Sequence, residues 1–166
     1  TDFVTLHVGA GTFKPVKSKT IEGHEMHSEF INVSITTIEN IFKNLSENII
    51  PVGTTSLRTI ESLYWLGVKS AIGPARREQS GILQQKSIEL GQWECYELEK
   101  INVEPKQALG ALIEFMRKEN MERLITTTQI LIGPPYKPRI AKALITNFHQ
   151  PQSTLLLLVA ALINED

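Results

Sequence analysis

The chain has 166 residues, of which 42% are hydrophobic and 21% are charged, and its net charge is −1 at pH 7. This length and composition are those of one globular domain with its own core, and they exclude a disordered chain. The near-zero net charge excludes general attraction to nucleic acid, so an RNA partner would have to be bound by local basic patches.

The sequence lacks an initial methionine and already alternates as in a strand at its start, so we expect a piece of a longer protein. Its one cysteine, Cys95, excludes an internal disulfide and a cysteine-based zinc site, and it favours the reducing cytoplasm. The longest apolar run, residues 155–163, is too short to cross a bilayer. We therefore expect a buried helix there and no membrane partner.

The predicted elements alternate between strands and helices. Strands are predicted at residues 2–8, 25–33, 49–53 and 141–148, with a helix end leading into a strand at 122–132. Helices are predicted at residues 36–48, 54–66, 105–120 and 153–163, from apolar residues at helical spacing. Thr54 or Thr55 is the expected cap of the second helix, Gly67 its end, and Ser153 the cap of the last.

Residues 68–104 are the least periodic part of the chain, and a hairpin with Gly91 near its turn is the prediction there. The repeated strand–loop–helix units predict an α/β fold with a mixed sheet, as one domain over residues 1–166.

The stretch H-E-M-H-S-E-F, residues 24–30, carries two histidines and two glutamates. On a strand His24 and His27 point to opposite faces, which disfavours joint ligation of a metal, so no metal site is predicted. His27 shares its face with Glu29, and a carboxylate beside an imidazole raises its basicity, as a general base requires. A half-exposed strand with solvated polar side chains explains the stretch equally well when it is taken alone.

Two glycine-containing turns are candidate ligand sites. In H-V-G-A-G-T-F-K, Lys14 stands where a dinucleotide-binding fingerprint needs its third glycine, so Gly9 and Gly11 either let a ligand approach the backbone or form a bulge. V-G-T-T-S-L-R-T-I-E-S reads as a strand, a tight turn and a helix whose N-terminus suits an anion. An ordinary cap is the alternative, with Arg58 and Glu61 paired on the helix surface.

I-T-N-F-H-Q-P-Q-S-T repeats this plan, with Asn147 and His149 in the loop after a strand, where α/β proteins place ligands. A turn built from Asn147 and Pro151 is the alternative. Local basic loops at residues 14–19, 76–77 and 136–142 are able to follow a phosphate backbone, although solvated loops are their default explanation.

In this order, the motifs G-A-G-T-F, H-x-M-H-S-E, G-T-T-S-x-R-x-x-E-S and T-N-F-H-x-P-x-S-T-L resemble the S-adenosylmethionine:tRNA ribosyltransferase-isomerase family of queuosine biosynthesis, over residues 5–62 and 122–161. The resemblance implies transfer and isomerisation of the ribosyl group of S-adenosylmethionine onto the aminomethyl-deazaguanine wobble base of tRNA, which gives epoxyqueuosine. It implies a larger two-domain protein, in which a β-barrel interrupts the α/β domain. This chain is similar to the C-terminal part of that α/β domain, with residues 68–104 as a variable insertion.

The resemblance also implies roles for the candidate residues. His27 with Glu29, and His149, are the acid–base candidates, because the sulfonium acidifies the neighbouring ribose carbon and no metal is needed. The substrate-binding candidates are Gly9, Gly11, Thr12, Phe13, Gly53, Thr54, Thr55, Arg58, Glu61, Thr146, Asn147 and Ser153. S-adenosylmethionine is the implied co-substrate and the single-stranded anticodon loop of tRNA the implied partner. An isolated piece is expected to self-associate through exposed sheet edges.

The chain departs from the family pattern at three positions. Thr126 and Thr127 stand where relatives tend to have acidic residues, and Pro135 stands where they have glycine, which is expected to prevent the turn that glycine allows. A non-catalytic nucleotide- or RNA-binding module of the same fold is therefore the alternative function. An unrelated α/β hydrolase finds no support, because no G-x-S-x-G turn is present.

Overall fold

The computed structural model describes residues 1–7, 23, 25–72, 88–148 and 154–163. Its sheet has three antiparallel strands in the order β1 (Thr5–His7), β2 (Glu29–Ser34) and β3 (Arg123–Thr128). In the register of the β2–β3 pair, the first residue of β2 lies opposite the last residue of β3. β2 therefore begins at the same end of the sheet at which β3 ends.

Two isolated parallel bridges lie outside the named strands, and with the helices and the antiparallel sheet they confirm the predicted mixed α/β class. Val52 pairs with Ile145, and Leu90 pairs with Thr128. The strands predicted at residues 49–53 and 141–148 are wrong as full strands, because they form only the first of these bridges, with three backbone hydrogen bonds between residues 49–53 and 142–145. Pro51 has no N–H to donate to a ladder, which keeps this pairing short.

Five helices accompany the sheet among the described residues. They are α1 (Ile35–Lys43), α2 (Thr54–Ala71), α3 (Glu94–Leu98), α4 (Pro105–Lys118) and α5 (Thr154–Ile163), with a 3-10 turn at Glu99–Ile101. The predicted helices at 36–48, 105–120 and 153–163 are confirmed with shorter or shifted ends. Ser34 caps α1, because its hydroxyl accepts a hydrogen bond from the Thr37 N–H at 3.1 Å.

Gly67 does not end α2, as the sequence predicted, but lies inside it. The helix continues to Ala71, and a Cβ at Gly67 would stand 2.3 Å from the backbone oxygen of Ala108 in α4. The missing side chain therefore serves the close approach of two helices and not a left-handed helix end.

The predicted hairpin around Gly91 is also wrong, because α3 begins three residues later. The Glu94 carboxylate accepts a hydrogen bond from the Gly91 N–H at 2.7 Å and receives Lys69 of α2 at 2.9 Å. These two contacts turn the chain into a helix and fasten it to α2. Residues 73–87 of the same predicted segment lie outside the described residues.

The core lies between α2, α4 and the inner face of the sheet. β2 alternates buried Glu29, Ile31 and Val33 with half-buried residues, which is the period-2 pattern of a strand covered on one face. Side chains without exposed surface include Leu57, Leu63, Leu66, Leu109, Leu112 and Met116. Within the described residues, no helix is long and apolar enough to cross a membrane.

Candidate functional site

The start of β2 brings His27, Glu29 and Arg58 together, two of them from the same predicted strand face. The Arg58 Nη1 atom lies 2.7 Å from Glu29 Oε1, and the His27 Nε2 atom lies 3.9 Å from the same oxygen. The side chains of Glu29 and Arg58 are almost fully buried, whereas that of His27 is 29% exposed. A partly exposed imidazole, whose Nε2 atom is buried, therefore lies beside a buried carboxylate that Arg58 compensates.

Arg58 is held on the inner side of α2 by more than this ion pair. Its Nε donates to the Ile130 carbonyl at 3.1 Å, and its own carbonyl accepts from the Ser62 hydroxyl at 2.7 Å. Ser62 in turn lies 2.8 Å from the hydroxyl of Thr128, the residue opposite Glu29 in the sheet. Burial lowers the pKa of the Arg58 guanidinium, and the charge of Glu29 opposes that shift.

Glu61 is buried as well, so the alternative in which Arg58 and Glu61 pair on the helix surface is wrong. The Glu61 carboxylate accepts hydrogen bonds from the Tyr136 hydroxyl at 2.7 Å and from three backbone N–H groups, those of Arg139, Ile140 and Ala141, at 2.7–3.0 Å. Glu61 thus anchors the loop that follows β3, and its contact with a substrate stays a prediction.

Tyr136 completes this buried network. Its hydroxyl accepts a hydrogen bond from the Trp65 indole N–H at 2.8 Å while donating to Glu61. Burial, followed by the nearby charge of Glu61, raises the pKa of Tyr136 well above its usual value. The tyrosine therefore remains a neutral hydrogen-bond donor across the physiological range.

A second group of candidates meets at the parallel bridge, where the two predicted strand–loop–helix units lie side by side. The Gly53 N–H donates to the Ile145 carbonyl at 2.8 Å. Gly53, and not Thr54 or Thr55, caps α2, and its φ of 94° favours glycine. Gly53 has no side chain to cap the helix, and Thr146 and Asn147, which follow Ile145, are exposed.

Six candidates, namely Gly9, Gly11, Thr12, Phe13, His149 and Ser153, lie outside the described residues. Their roles stay predictions. In the described part of the chain, no three His, Cys, Asp or Glu side chains gather as metal ligands would.

The arrangement supports proton transfer at one point and anion binding at another. A half-exposed imidazole beside a buried carboxylate is able to take up and return a proton. The uncapped start of α2 offers N–H groups to a carboxylate or phosphate. From Thr54 to Arg58 the helix rises by about 6 Å. The proposed anion site and the cluster of His27, Glu29 and Arg58 therefore lie at the same end of α2.

The sequence did not predict the partners of Arg58. The alternation of Glu29 with Ile31 and Val33 was a usable signal that this carboxylate faces the core and needs a cation. No local pattern indicates the Ile130 carbonyl, because it lies 72 residues from Arg58.

Comparisons with known proteins agree with the motifs. A family model described as "Queuosine biosynthesis protein" matches residues 1–166. The S-adenosylmethionine:tRNA ribosyltransferase-isomerase of Buchnera aphidicola subsp. Schizaphis graminum (strain Sg) is 33% identical over 164 residues, which are 98% of this chain and 32% of that protein. The crystal structure of S-adenosylmethionine tRNA ribosyltransferase from Thermotoga maritima has 26% identity and a TM-score of 0.42, covering 80% of this chain and 30% of that one.

The chain thus spans about a third of the length of these relatives. Because the family model covers all 166 residues, this chain belongs to the queuosine biosynthesis protein family.

Proposed function

We propose that this chain forms part of an S-adenosylmethionine:tRNA ribosyltransferase-isomerase. The enzyme would move the ribosyl group of S-adenosylmethionine onto the aminomethyl-deazaguanine wobble base in the anticodon loop of tRNA, with release of adenine and methionine, giving epoxyqueuosine. The observation that carries the proposal is the imidazole of His27 next to the buried pair of Glu29 and Arg58. Membership of the queuosine biosynthesis protein family supports this reaction as the use of the geometry.

In this reaction His27 removes the proton from the ribose carbon beside the sulfonium. Glu29, whose Oε1 atom lies 3.9 Å from His27 Nε2, orients the imidazole for this transfer. His149 is the second acid–base candidate and returns a proton later in the sequence.

The start of α2 binds the negative group of a substrate, either the methionine carboxylate or a tRNA phosphate. Gly53 and the two threonines after it supply N–H groups to it, and Thr146 with Asn147 border the same place. We propose that the base or the ribose contacts Gly9, Gly11, Thr12 and Phe13. Ser153 is the substrate-binding candidate that directly precedes α5.

The decisive experiment is adenine release from S-adenosylmethionine by the full-length protein with precursor tRNA, followed by chromatography. We expect release by the unmutated protein and a loss of roughly 100-fold or more in kcat for His27→Ala. Gln107→Ala, an exposed change on α4, is the control and should leave kcat unchanged. No release from tRNA that an authentic family member modifies would contradict the proposed reaction.

The second candidate is a module that binds nucleotide or RNA without turnover. The departure at Thr126 and Thr127 favours it, because these positions lack the acidic residues that relatives tend to have. Retained tRNA affinity without adenine release, unchanged in His27→Ala, would select this alternative.

We place the reaction in the cytoplasm, where unmodified tRNA is available. The isolated chain is expected to self-associate and to lack turnover by itself, since it spans about a third of its relatives.

A further inference from the structure

The guanidinium of Arg58 lies inside the protein, away from the surface. Nη1 lies 2.7 Å from Glu29 and Nε donates to the Ile130 carbonyl at 3.1 Å. The third nitrogen, Nη2, is buried too, and no described residue offers it a hydrogen bond. An arginine that binds an incoming anion needs donor nitrogens at the surface, and Arg58 shows only 3% of its surface.

The Glu29 carboxylate depends on its ion pair with Arg58 for its orientation. Glu29 begins β2 with a carboxylate that is 1% exposed, and neither of its oxygens makes a hydrogen bond among the described residues. Because hydrogen bonds there do not fix the rotation of this buried carboxylate, its ion pair with Arg58 decides where it points. The same oxygen that meets Arg58 lies beside His27.

We infer that Arg58 is a positioning residue that acts through Glu29, and that it is not the ligand of the substrate's carboxylate or phosphate. Arg58 is fixed at the Ile130 carbonyl and at its own main chain, and it holds the Glu29 carboxylate against the imidazole of His27. This inference rests on the proposed function. It follows that the N–H groups at the start of α2, and not Arg58, bind the anion.

From this geometry we expect that lysine does not replace Arg58. The planar guanidinium holds Nη1 against Glu29 in an ion pair while Nε donates a hydrogen bond to the Ile130 carbonyl, and the two nitrogens keep a fixed relative direction. An ammonium group is a point charge on a flexible stem and does not fix both directions together. Arg58→Lys therefore keeps the charge and loses the orientation.

The kinetic test is a double-mutant cycle for adenine release in the full-length protein, with Glu29→Gln, Arg58→Met and both together. We expect Arg58→Met and Glu29→Gln each to lower kcat by about 10-fold or more, with the KM for S-adenosylmethionine within about 2-fold of normal. The double variant should be no slower than the slower single variant.

An anion ligand would behave differently, and either of two results would overturn the inference. One is a rise in KM at constant kcat in Arg58→Met. The other is a loss in the double variant equal to the product of the single losses. Arg58→Lys serves where Arg58→Met fails to fold, and it should lower kcat rather than raise KM.

A second measurement does not depend on turnover. Crystal structures of the unmutated full-length protein and of Arg58→Lys are compared at Glu29, with circular dichroism as the check on folding. We expect the Glu29 carboxylate to leave its place beside His27 in the variant, and a carboxylate that stays in place would overturn the inference. If the unmutated protein releases no adenine, the proposed function fails while this comparison still decides the role of Arg58.

Discussion

At the scale of single residues, Cys95 links the stability of the fold to alkaline pH. It lies in α3 with 1% of its surface exposed, and burial raises the pKa of its thiol from its ordinary value of 9.0 to about 12. Between these values the unfolded chain loses the thiol proton while the folded chain keeps it. Stability is therefore fully present below pH 9.0 and falls as the pH rises toward about 12, by at most about 1.4 kcal/mol per pH unit.

We expect Cys95→Ala to have a smaller loss of unfolding free energy between pH 9 and pH 11 than the unmutated chain, because it has no thiol to ionise. Urea denaturation at several pH values measures both slopes. After burial, Cys95 is also one cause of the raised pKa values of Tyr96, which is about 12, and of Tyr136, so its removal lessens their contribution in the same direction. Parallel pH profiles for the two chains would show that the thiol does not ionise on unfolding.

Glu61 leads to a second prediction, on stability at neutral pH. Glu61→Gln keeps the size of the side chain but turns an NH₂ group toward N–H donors that now bond a carboxylate oxygen. We expect the unfolding free energy to fall by about 3 kcal/mol. Urea denaturation measures it, and Glu114→Gln on the exposed face of α4 is the control, with an expected change below about 0.5 kcal/mol. Equal effects of both changes would contradict an anchoring role for Glu61.

The sequence predicted the neighbourhood of the site better than the direction of its side chains. The alternation in H-x-M-H-S-E placed His27 and Glu29 on one face, and the structure brings them to 3.9 Å. Arg58 and Glu61 were expected near a substrate, and the structure buries both. Their partners follow from the packing of α2 on β3 and on the next loop, which local spacing does not contain.

At the scale of elements, the contact of α2 with α4 depends on Gly67. Gly67→Ala gains helix propensity of about 1 kcal/mol, but its Cβ would stand 2.3 Å from the Ala108 oxygen and would push two helices apart. We expect a net loss of about 2 kcal/mol in unfolding free energy.

Gly110→Ala is the matched change, because this glycine lies in α4 and its added Cβ would meet Phe42 at an ordinary 3.6 Å. It should stabilise the chain by about 0.5–1 kcal/mol through helix propensity alone. Thermal unfolding of both variants decides between close packing and propensity. Stabilisation by both substitutions would contradict the close contact at Gly67.

Two of the positions at which the sequence was expected to depart from the family pattern, Thr126 and Pro135, have described structural surroundings. The Thr126 hydroxyl of β3 donates to the Ile88 carbonyl, and an ionised acid at this position has no proton to donate. A turn forms at Pro134–Pro135 despite the expectation that proline prevents it, with the Tyr136 N–H donating to the Gly133 carbonyl at 2.8 Å.

Long periodic helices were predicted from the sequence, and short irregular elements were not. The apolar spacing of α4 is independent of its partners, so the prediction for 105–120 held with small changes at the end. The segment around Gly91 takes its shape from Lys69, 25 residues away from Glu94. A hairpin and a helix were therefore indistinguishable from the local sequence.

At the scale of the whole molecule, apolar side chains lie exposed along the parallel bridge. Val52 is 67% exposed, Ile145 58% and Phe148 entirely. Exposed apolar groups that lie together beside a short sheet edge favour association with another chain or domain.

We expect the 166-residue chain to self-associate in sedimentation velocity at micromolar concentration, and Val52→Lys to reduce this association. Gln107→Lys adds the same charge to exposed α4 and is the control. If both variants associate as the unmutated chain does, the surface at the bridge is not responsible.

The anchoring of Glu61 also has a consequence for the order of events during translation. Its four donors follow it by 75 to 80 residues in the chain. At ordinary rates of synthesis the ribosome needs about 4 to 16 s to add such a length, so α2 emerges long before its carboxylate has partners. We expect nascent chains stalled before Tyr136 to be digested readily by protease within α2, and chains stalled well beyond Ala141 to resist digestion there.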